Sequence, residues 1–469
     1  MQRSFTLSIM IITFVFSLCC FSGAEQWQKT VNDGFGNTRN DYAWSMATFK
    51  GKLYVGTLNV LEKAEIWRSD SGEAGTWQRV HKSVLDRSLG IRYLYADGDQ
   101  AIYACTLNMQ GARILRSVDG LTWQIVGRRG LGRLMNTTIR CMTRFGEYLY
   151  AGVGGSMANL YRSKDGFEWE YVEAEPNIGS QMVQDPLTGR YIINNVMIGE
   201  LAVFGDYLYA FTWTKDLDYR AAGWLVQRIA PAGNQGDEAS SIPSTPGAFE
   251  VWRSNNGVNW EVVVGQDDPY RNGMGFSGYS PENLDNDAVT SVAIFKNHLY
   301  LGTEHDQGRT AIWRTAEGTT WEKVLDFYDL GERFNYYVWR LQPFNGRLFA
   351  GTMNIGAAIN PKVTGAQIWV SDSGDPNTFS APVYNGFDGE AALTIAGLRI
   401  PKNFGIRSFG ILNDSLFTGT ATLSGLSAWK IDQSEGLLPI PKEIGCEVWK
   451  LYPGSPSEGP EPSEDAGQE

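Results

Sequence analysis

A short phrase that begins with an aliphatic and an aromatic residue recurs seven times along this chain of 469 residues. The copies read LYVGT at 53–57, IYACT at 102–106, LYAGV at 149–153, LYAFT at 208–212, LYLGT at 299–303, LFAGT at 348–352 and LFTGT at 416–420. Aromatic and β-branched residues are favoured in β-strands. A chain that repeats one strand in this way builds its core by stacking similar units.

The sequence around each copy of the phrase predicts four short strands. In the third unit, a strand at 139–145 leads through Gly146-Glu147 to the phrase, and a third strand at 159–163 leads through a turn at 164–166 to a fourth at 168–172. Glycine supplies the positive φ that tight hairpin turns require. Four-stranded units repeated at a period of roughly 40 to 50 residues are typical of a β-propeller.

The seventh unit lacks a fourth strand, because the residues after its third strand at 446–452 are mostly Pro, Ser, Glu and Gly. Residues 26–31, QWQKTV, have the fourth-strand pattern and no unit of their own before them. We predict that they complete the last unit and leave no open sheet edge there. The predicted fold class is therefore all-β, a seven-bladed propeller of four-stranded antiparallel blades closed by the N-terminal strand.

Both ends of the chain differ in composition from the repeats. Residues 1–24 carry Arg3, an apolar run and Ser22-Gly23-Ala24, which predicts a cleaved signal peptide. A lipoprotein anchor at Cys19 or Cys20 is the alternative. We predict a propeller at 25–452 and a disordered acidic tail at 453–469, in a secreted, periplasmic or cell-surface protein without a transmembrane segment in the mature chain.

Charge and cysteine content restrict the partners. A net charge of -12 and a pI near 5.0 argue against nucleic acid, which requires a basic face. Cys105, Cys141 and Cys446 lie on separate predicted strands and are expected to be buried and structural. No cofactor is predicted, although Asp285 and Asp287 with nearby carbonyls are a possible Ca²⁺ site.

The turn between the third and fourth strands contains a second motif. Residues 116–123 read RSVDGLTW, and 163–169 and 254–260 are similar. The motif resembles the Asp-box of the BNR, or sialidase-like, β-propellers, although it is one residue shorter between Asp and Gly. The resemblance implies a propeller architecture. In that family the box lies on the face away from the active site.

Long connections are concentrated in two classes, those between second and third strands and those between units. The long ones are 213–248, 353–365, 421–445, 173–198, 265–288 and 385–405. In an up-and-down blade both classes emerge on the same face. Long loops on a rigid scaffold commonly carry binding sites, so we expect the long-loop face to be the functional one.

The first strands are expected to converge on the propeller axis, and their starts carry a set of charged and aromatic residues. The predicted ligand-binding residues there are Arg92, Arg140, Arg340, Arg407, Trp44, Trp339 and Glu200. Guanidinium groups bind carboxylates in a bidentate manner, and Trp faces stack on sugars. This set predicts a pocket for an anionic, carboxylated glycan. The alternative is that the arginines pair with Glu200, Asp41, Asp287 or carboxylates of the loops and merely bridge blades.

Catalytic residues are not identifiable from the sequence. Tyr337 and His305 are predicted on the same face as possible ligand contacts, and Tyr42, Tyr336, Glu200 and Glu304 are further acid–base candidates. An Arg-Ile-Pro at 399–401 resembles a sialidase motif but lies after the boxes. Two functions remain open: a binding protein for an anionic glycan or an extracellular protein, and a carbohydrate-active enzyme, either a sialidase-like glycoside hydrolase or a polysaccharide lyase.

Overall fold

The computed structural model describes most of the repeat region. The described residues are 26–155, 157–174, 176–179, 182–184, 191–193, 195–214, 249–265, 286–305, 309–354, 365–389, 391–395, 398–422 and 444–452. The predicted signal peptide, the tail at 453–469 and most of the long loops lie outside them. The regular secondary structure of the described chain is almost entirely antiparallel β-sheet, and the short helical turns Asp33–Gly36 and Arg129–Gly132 are its helical segments.

Each sequence repeat contributes consecutive antiparallel strands. Repeat one has Tyr42–Phe49, Lys52–Leu58, Glu65–Ser69 and Gln78–Lys82, and repeat two has Gly90–Asp97, Ala101–Leu107, Ile114–Ser117 and Gln124–Val126. Repeat three has Asn136–Phe145, Tyr148–Gly155, Asn159–Ser163 and Glu170–Tyr171, and repeat four has Met197–Phe204, Tyr207–Trp213, Val251–Ser254 and Glu261–Val264. Repeat five has Ala288–Phe295, His298–Glu304, Ala311–Thr315 and Glu322–Asp326, and repeat six has Asn335–Phe344, Arg347–Asn354, Ile368–Ser371 and Ser380–Val383. Repeat seven has Gly405–Leu412, Ser415–Ala421 and Val448–Tyr452. Two small hairpins, Met182–Gln184 with Tyr191–Ile193 and Ala391–Ile395 with Leu398–Pro401, lie in connections between repeats.

The N-terminal strand Gln26–Val31 pairs antiparallel with Val448–Tyr452 in repeat seven. This is the pairing that its fourth-strand pattern predicts. Lys29 reinforces it through a 2.9 Å ion pair with the buried Glu447. Val31 packs in a core cluster with Ala43, Leu53 and other residues of repeats one and seven, so the two ends of the repeat array share a core.

The first and second strands of all repeats form a closed ring of fourteen strands. Single residue pairs link each second strand to the first strand of the next repeat, as between Leu58 and Gly90 and between Met353 and Gly405. The pair Ala421 and Tyr42 closes the circle. The sheet is therefore propeller-like, with the first strands around the axis and the third and fourth strands outside.

The recurring phrase holds neighbouring repeats together. Its aromatic residue lies against the turn glycine of the following repeat: a Cβ built on Gly166 would be only 1.9 Å from the hydroxyl oxygen of Tyr103. The same relation links Tyr54 with Gly120, Tyr150 with Gly257, Tyr209 with Gly318, Tyr300 with Gly374 and Phe417 with Gly72. Because these turn glycines also have positive φ, glycine is required there for both space and backbone conformation.

The Asp of the box-like motif stabilises its own turn. Asp119 Oδ1 accepts hydrogen bonds from the backbone N–H groups of Leu121 and Thr122, both at 2.8 Å, and Asp165 accepts the equivalent pair. These bonds, the one from Thr122 foremost, lower the pKa of Asp119. The motif is thus a structural element of the short-turn face, as its Asp-box resemblance implies.

Candidate functional site

Every first strand carries a β-bulge at the same level. The antiparallel register skips one residue in each, as between Ala43 and Ser45 in the first repeat. The bulged residues are Trp44, Arg92, Arg140, Gly199, Thr290, Trp339 and Arg407. A bulge leaves one residue outside the ladder and redirects its side chain. These seven positions therefore define one layer around the ring, near the N-terminal ends of the first strands.

Hydrogen bonds between repeats surround this layer. In several repeats a hydroxyl or thiol at or beside the bulge donates to the carbonyl oxygen just before the next repeat's bulge. The pairs are Ser45 with Ile91 (2.8 Å), Cys141 with Ile198 (3.7 Å), Thr290 with Val338 (2.5 Å) and Ser408 with Ala43 (2.7 Å). A bulge removes a carbonyl from the ladder, and a buried carbonyl without a donor is costly. The small polar residues at this level therefore supply hydrogen-bond donors to buried backbone carbonyl groups.

The bulged arginines lie on aromatic rings. Arg140 Cζ is 3.6 Å from the ring centroid of Trp213, and Arg92 Cζ is 4.8 Å from that of Trp44. Arg407 contacts two rings, Trp339 at 4.4 Å and Trp44 at 5.6 Å. We call Trp44, Trp213, Trp339, Arg92, Arg140 and Arg407 the axial cluster. All six are buried, and Tyr42, Tyr337 and Phe404 pack around its tryptophans.

Arg92 Nη1 and the indole nitrogens of Trp44 and Trp339 are buried and have no hydrogen-bond acceptor among the described residues. The third indole, Trp213, donates to the carbonyl oxygen of Val289 in the next repeat. Most buried donors in proteins are paired, so water or a ligand could supply acceptors here, as it could at the indole nitrogens of Trp77, Trp123 and Trp169, which also lack an acceptor among the described residues away from the axis.

Three large side chains, from positions directly after a bulge, meet near the axis of the ring, and we call the space between them the axial channel. Arg340 Nη1 donates to Glu200 Oε1 at 2.7 Å, and Arg340 Cζ is 5.8 Å from the ring centroid of Tyr93. These residues come from repeats six, four and two, so the ion pair spans the channel between repeats that are not neighbours. We call Tyr93, Glu200 and Arg340 the channel triad. A cavity of about 450 Å³ adjoins it.

This cavity extends from the bulge level toward the short-turn ends of the first strands. Ser45, Ser291 and Ser408 line it at the bulge level, and Thr143 and the exposed Ile294 line it near the short turns. Its lining includes one carboxylate, Glu200, among the described residues. The described cavity therefore lies on the side of the ring opposite the long loops, whereas the loop lengths in the sequence predict that the long-loop face is functional.

Burial and neighbouring charges act in opposite directions on Glu200. Burial raises the pKa of its carboxyl group, while Arg340, Arg140 and Arg407 lower it, and the net shift is upward. Burial, reinforced by the charge of Glu200, also raises the pKa of the Tyr93 hydroxyl. The action of three arginines on one carboxyl group shows that the axial cluster and the channel triad form one electrostatic unit.

Of the residues predicted from the sequence, seven lie near the axis: Trp44, Arg92, Arg140, Glu200, Trp339, Arg340 and Arg407. Tyr337 packs on Trp339, with ring centroids 5.6 Å apart. His305 is buried next to repeat six, where its backbone N–H donates to the carbonyl oxygen of Tyr336. Their roles in binding a ligand stay predictions.

The sequence alone leaves the register of repeat two open, because the turn 98–100 has three residues where the first repeat has Lys50-Gly51. Matching Ile91-Arg92 with Trp44-Ser45 is wrong by one residue, since the bulges show that Arg92 corresponds to Trp44 and Tyr93 to Ser45. Tyr93 was missed for this reason. Trp213 was also missed, although it directly follows the phrase LYAFT.

Asp285 of the possible Ca²⁺ site lies outside the described residues. Within the described part of the chain, no group of three or more His, Cys, Asp or Glu side chains is arranged to hold a metal ion. The three predicted structural cysteines are buried free thiols. None of the described helices is long and apolar enough to cross a membrane.

Comparison with known proteins gives structural likenesses at low sequence identity. The sequence matches no protein-family model and no curated protein. Among solved structures, the Niastella koreensis GH74 enzyme is similar, with 15% identity, a TM-score of 0.46 and coverage of 87% of this chain and 53% of that one. YCF48 from Cyanidioschyzon merolae has 10% identity, a TM-score of 0.45 and coverage of 90% and 98%. A luciferin-regenerating enzyme has 11% identity, a TM-score of 0.38 and coverage of 75% and 87%.

Proposed function

We propose that this chain is an exported seven-bladed β-propeller, one blade per sequence repeat, that binds the carboxylate of an anionic glycan at its axis. The observation that carries the proposal is the gathering of buried arginines near the axis: Arg340 pairs with Glu200 at the cavity, and Arg140 and Arg407 lie on tryptophan rings at the bulge level. Arginine is the residue that best binds carboxylates, because its guanidinium fork donates two parallel hydrogen bonds. A cluster of arginines is notable in a chain with a net charge of -12.

One further observation supports this proposal. The cavity beside the channel triad, at about 450 Å³, has the size of a pocket for a small ligand or a single sugar unit. A ligand carboxylate would compete with Glu200 for Arg340.

A glycan array probed with residues 25–469 tests the proposal. We expect binding to carboxylated glycans. Arg340→Ala should weaken it by about 1.5 to 3 kcal/mol, or roughly 10- to 150-fold, the range for hydrogen bonds to charged groups. Arg340→Lys should restore binding only in part, because an ammonium group cannot form the bidentate contact.

The matched control is Arg68→Ala, which removes the same charge from a third strand away from the axis. It should leave affinity unchanged. Thermal melting of each variant identifies any loss caused by misfolding. If the wild-type protein binds no acidic glycan, or if folded Arg340→Ala and Arg140→Ala proteins bind as well as the wild type, the proposal is wrong.

A carbohydrate-active enzyme is the second candidate, and one observation favours it. Glu200 and Tyr93 both lie next to Arg340 beside the cavity, and burial raises the pKa of each. A carboxyl group and a tyrosine next to arginine could serve as acid and base on a bound acidic sugar. Product analysis of each array hit tests this, since cleavage that is lost in Glu200→Gln would establish an enzyme.

A further inference from the structure

Four connections of the first two repeats lie side by side on the long-loop face. They are 59–64, 83–89, 108–113 and 127–135. Backbone hydrogen bonds join them, for example Ala64 N–H to Ser88 O at 3.0 Å and Gly130 N–H to Ala112 O at 2.8 Å. We call these four segments the basic–apolar face. The bonds give its loops a defined arrangement around repeats one and two.

Large apolar side chains project from every one of these segments. They are Leu61, Val84, Leu85, Met109, Leu134 and Met135. Leu85 is 94% exposed and Met135 is 64% exposed. Isolated exposed apolar residues are ordinary, but a group of six on adjacent loops of one face marks an interaction surface.

The same segments are basic. They contain six cationic residues, Lys63, Arg87, Arg113, Arg128, Arg129 and Arg133, and two acidic ones, Glu62 and Asp86. Asp86 is buried 3.6 Å from His81, and Glu62 is 3.5 Å from Arg39. The four segments thus carry four more positive than negative charges, in a chain whose net charge is -12. An acidic protein that carries a basic, apolar face presents that face to an anionic, partly apolar partner.

We propose that the basic–apolar face docks on an anionic lipid bilayer. Its exposed leucine, valine and methionine side chains enter the interfacial region, and its arginines contact lipid phosphates. The protrusion of the apolar side chains favours a bilayer over a protein helix, because a helix binds in a groove whose apolar walls are partly buried, whereas Leu85 is almost fully exposed. This proposal is independent of the axial arginines.

Flotation with lipid vesicles tests the proposal. The protein is residues 25–469, which retain every described residue, and the probes are vesicles of phosphatidylglycerol with phosphatidylcholine and vesicles of phosphatidylcholine alone. We expect binding to the anionic vesicles at least tenfold stronger than to the neutral ones, and loss of binding in high salt. Arg128→Glu/Arg129→Glu should reduce binding to anionic vesicles at least tenfold. Leu134→Ser/Met135→Ser should reduce it several-fold and leave its salt dependence in place.

The control variant is Val118→Ser/Leu121→Ser, which removes two half-exposed apolar side chains, at 50% and 46%, from the short-turn face. It should float like the wild type. All substituted side chains are exposed, so melting temperatures should not change. Equal loss in the control variant, or no preference of the wild type for anionic vesicles, overturns the proposal. Binding to an acidic amphipathic peptide with no binding to vesicles would also overturn it and would indicate a protein partner instead.

Discussion

The residues just after the seven bulges alternate in role. Ser45, Cys141 and Ser408 are small and donate to a carbonyl of the next repeat, whereas Ser291 accepts from the backbone N–H of Leu341 in the next repeat. Where the residue is large, in repeats two, four and six, it reaches the axis and joins the channel triad. The position after the bulge therefore links neighbouring repeats where its residue is small, and places the charged groups of Glu200 and Arg340 in the channel where its residue is large.

Replacing Glu200 by Gln should change how stability depends on pH. Burial raises the pKa of Glu200 above its ordinary value of 4.5, so the folded protein holds this proton more tightly than the unfolded chain does. The associated stability is fully present below the unfolded pKa and is lost as the pH rises through the folded pKa. We expect the unfolding free energy of the wild type, relative to Glu200→Gln, to fall as the pH rises above the ordinary pKa of 4.5 toward neutral pH. Urea unfolding at a series of pH values measures this difference, and a constant or rising difference would contradict the assignment.

The turn between the third and fourth strands is the element that connects neighbouring repeats. Its Asp or Asn organises the backbone within the turn, as Asn256 does by accepting from the N–H groups of Val258 and Asn259. Its Gly leaves the space that the aromatic ring of the preceding repeat occupies. The box-like motif and the recurring phrase are thus two halves of one contact, repeated around the ring.

Two glycines of the third repeat separate backbone strain from crowding. Both have positive φ, 76° at Gly166 and 57° at Gly146. A Cβ on Gly166 would be 1.9 Å from the Tyr103 hydroxyl oxygen, whereas a Cβ on Gly146 would have no atom within 4 Å. Gly146→Ala should cost about 1 kcal/mol through backbone strain. Gly166→Ala should cost roughly 1 to 3 kcal/mol more, because Tyr103 must move. Chemical denaturation measures the unfolding free energy of the two variants. Equal losses of unfolding free energy would show that the turn does not confine the aromatic ring of Tyr103.

At the scale of the whole molecule, closure depends on a contact between residues more than four hundred positions apart. The strand Gln26–Val31 covers the edge of Val448–Tyr452, and Lys29 neutralises the buried Glu447. Trp27 lies edge-on to Phe387 of the sixth repeat. An unpaired sheet edge invites pairing with another chain, so the N-terminal strand protects against association as well as completing the sheet.

Deletion of residues 26–31 should therefore lower the melting temperature by at least several degrees and promote aggregation. Differential scanning calorimetry and light scattering measure the two effects. The control is truncation after Tyr452, which removes no described strand and should leave melting unchanged. Unaltered melting of the deletion variant would show that the closure does not contribute to stability.

The sequence by itself determined the repeat, its strands and turns, and the closing role of the N-terminal strand. These features follow from local rules: strand preference for aromatic and β-branched residues, glycine and aspartate in tight turns, and a missing fourth strand matched by an orphan one. It also indicated that arginines and tryptophans gather near the axis, because equivalent positions in a closed repeat array converge.

Only the tertiary structure decided which of these residues meet. Tyr93 belongs to the channel triad because one extra turn residue and one bulge set its register, and neither follows from the phrase alone. Trp213 lies under Arg140, which belongs to the preceding repeat, and Glu200 pairs with Arg340 from two repeats further along the chain. Such contacts depend on the diameter of the ring and on the direction that each bulge gives its side chain. Both are set by the packing of all the strands together, and local sequence preferences do not encode them.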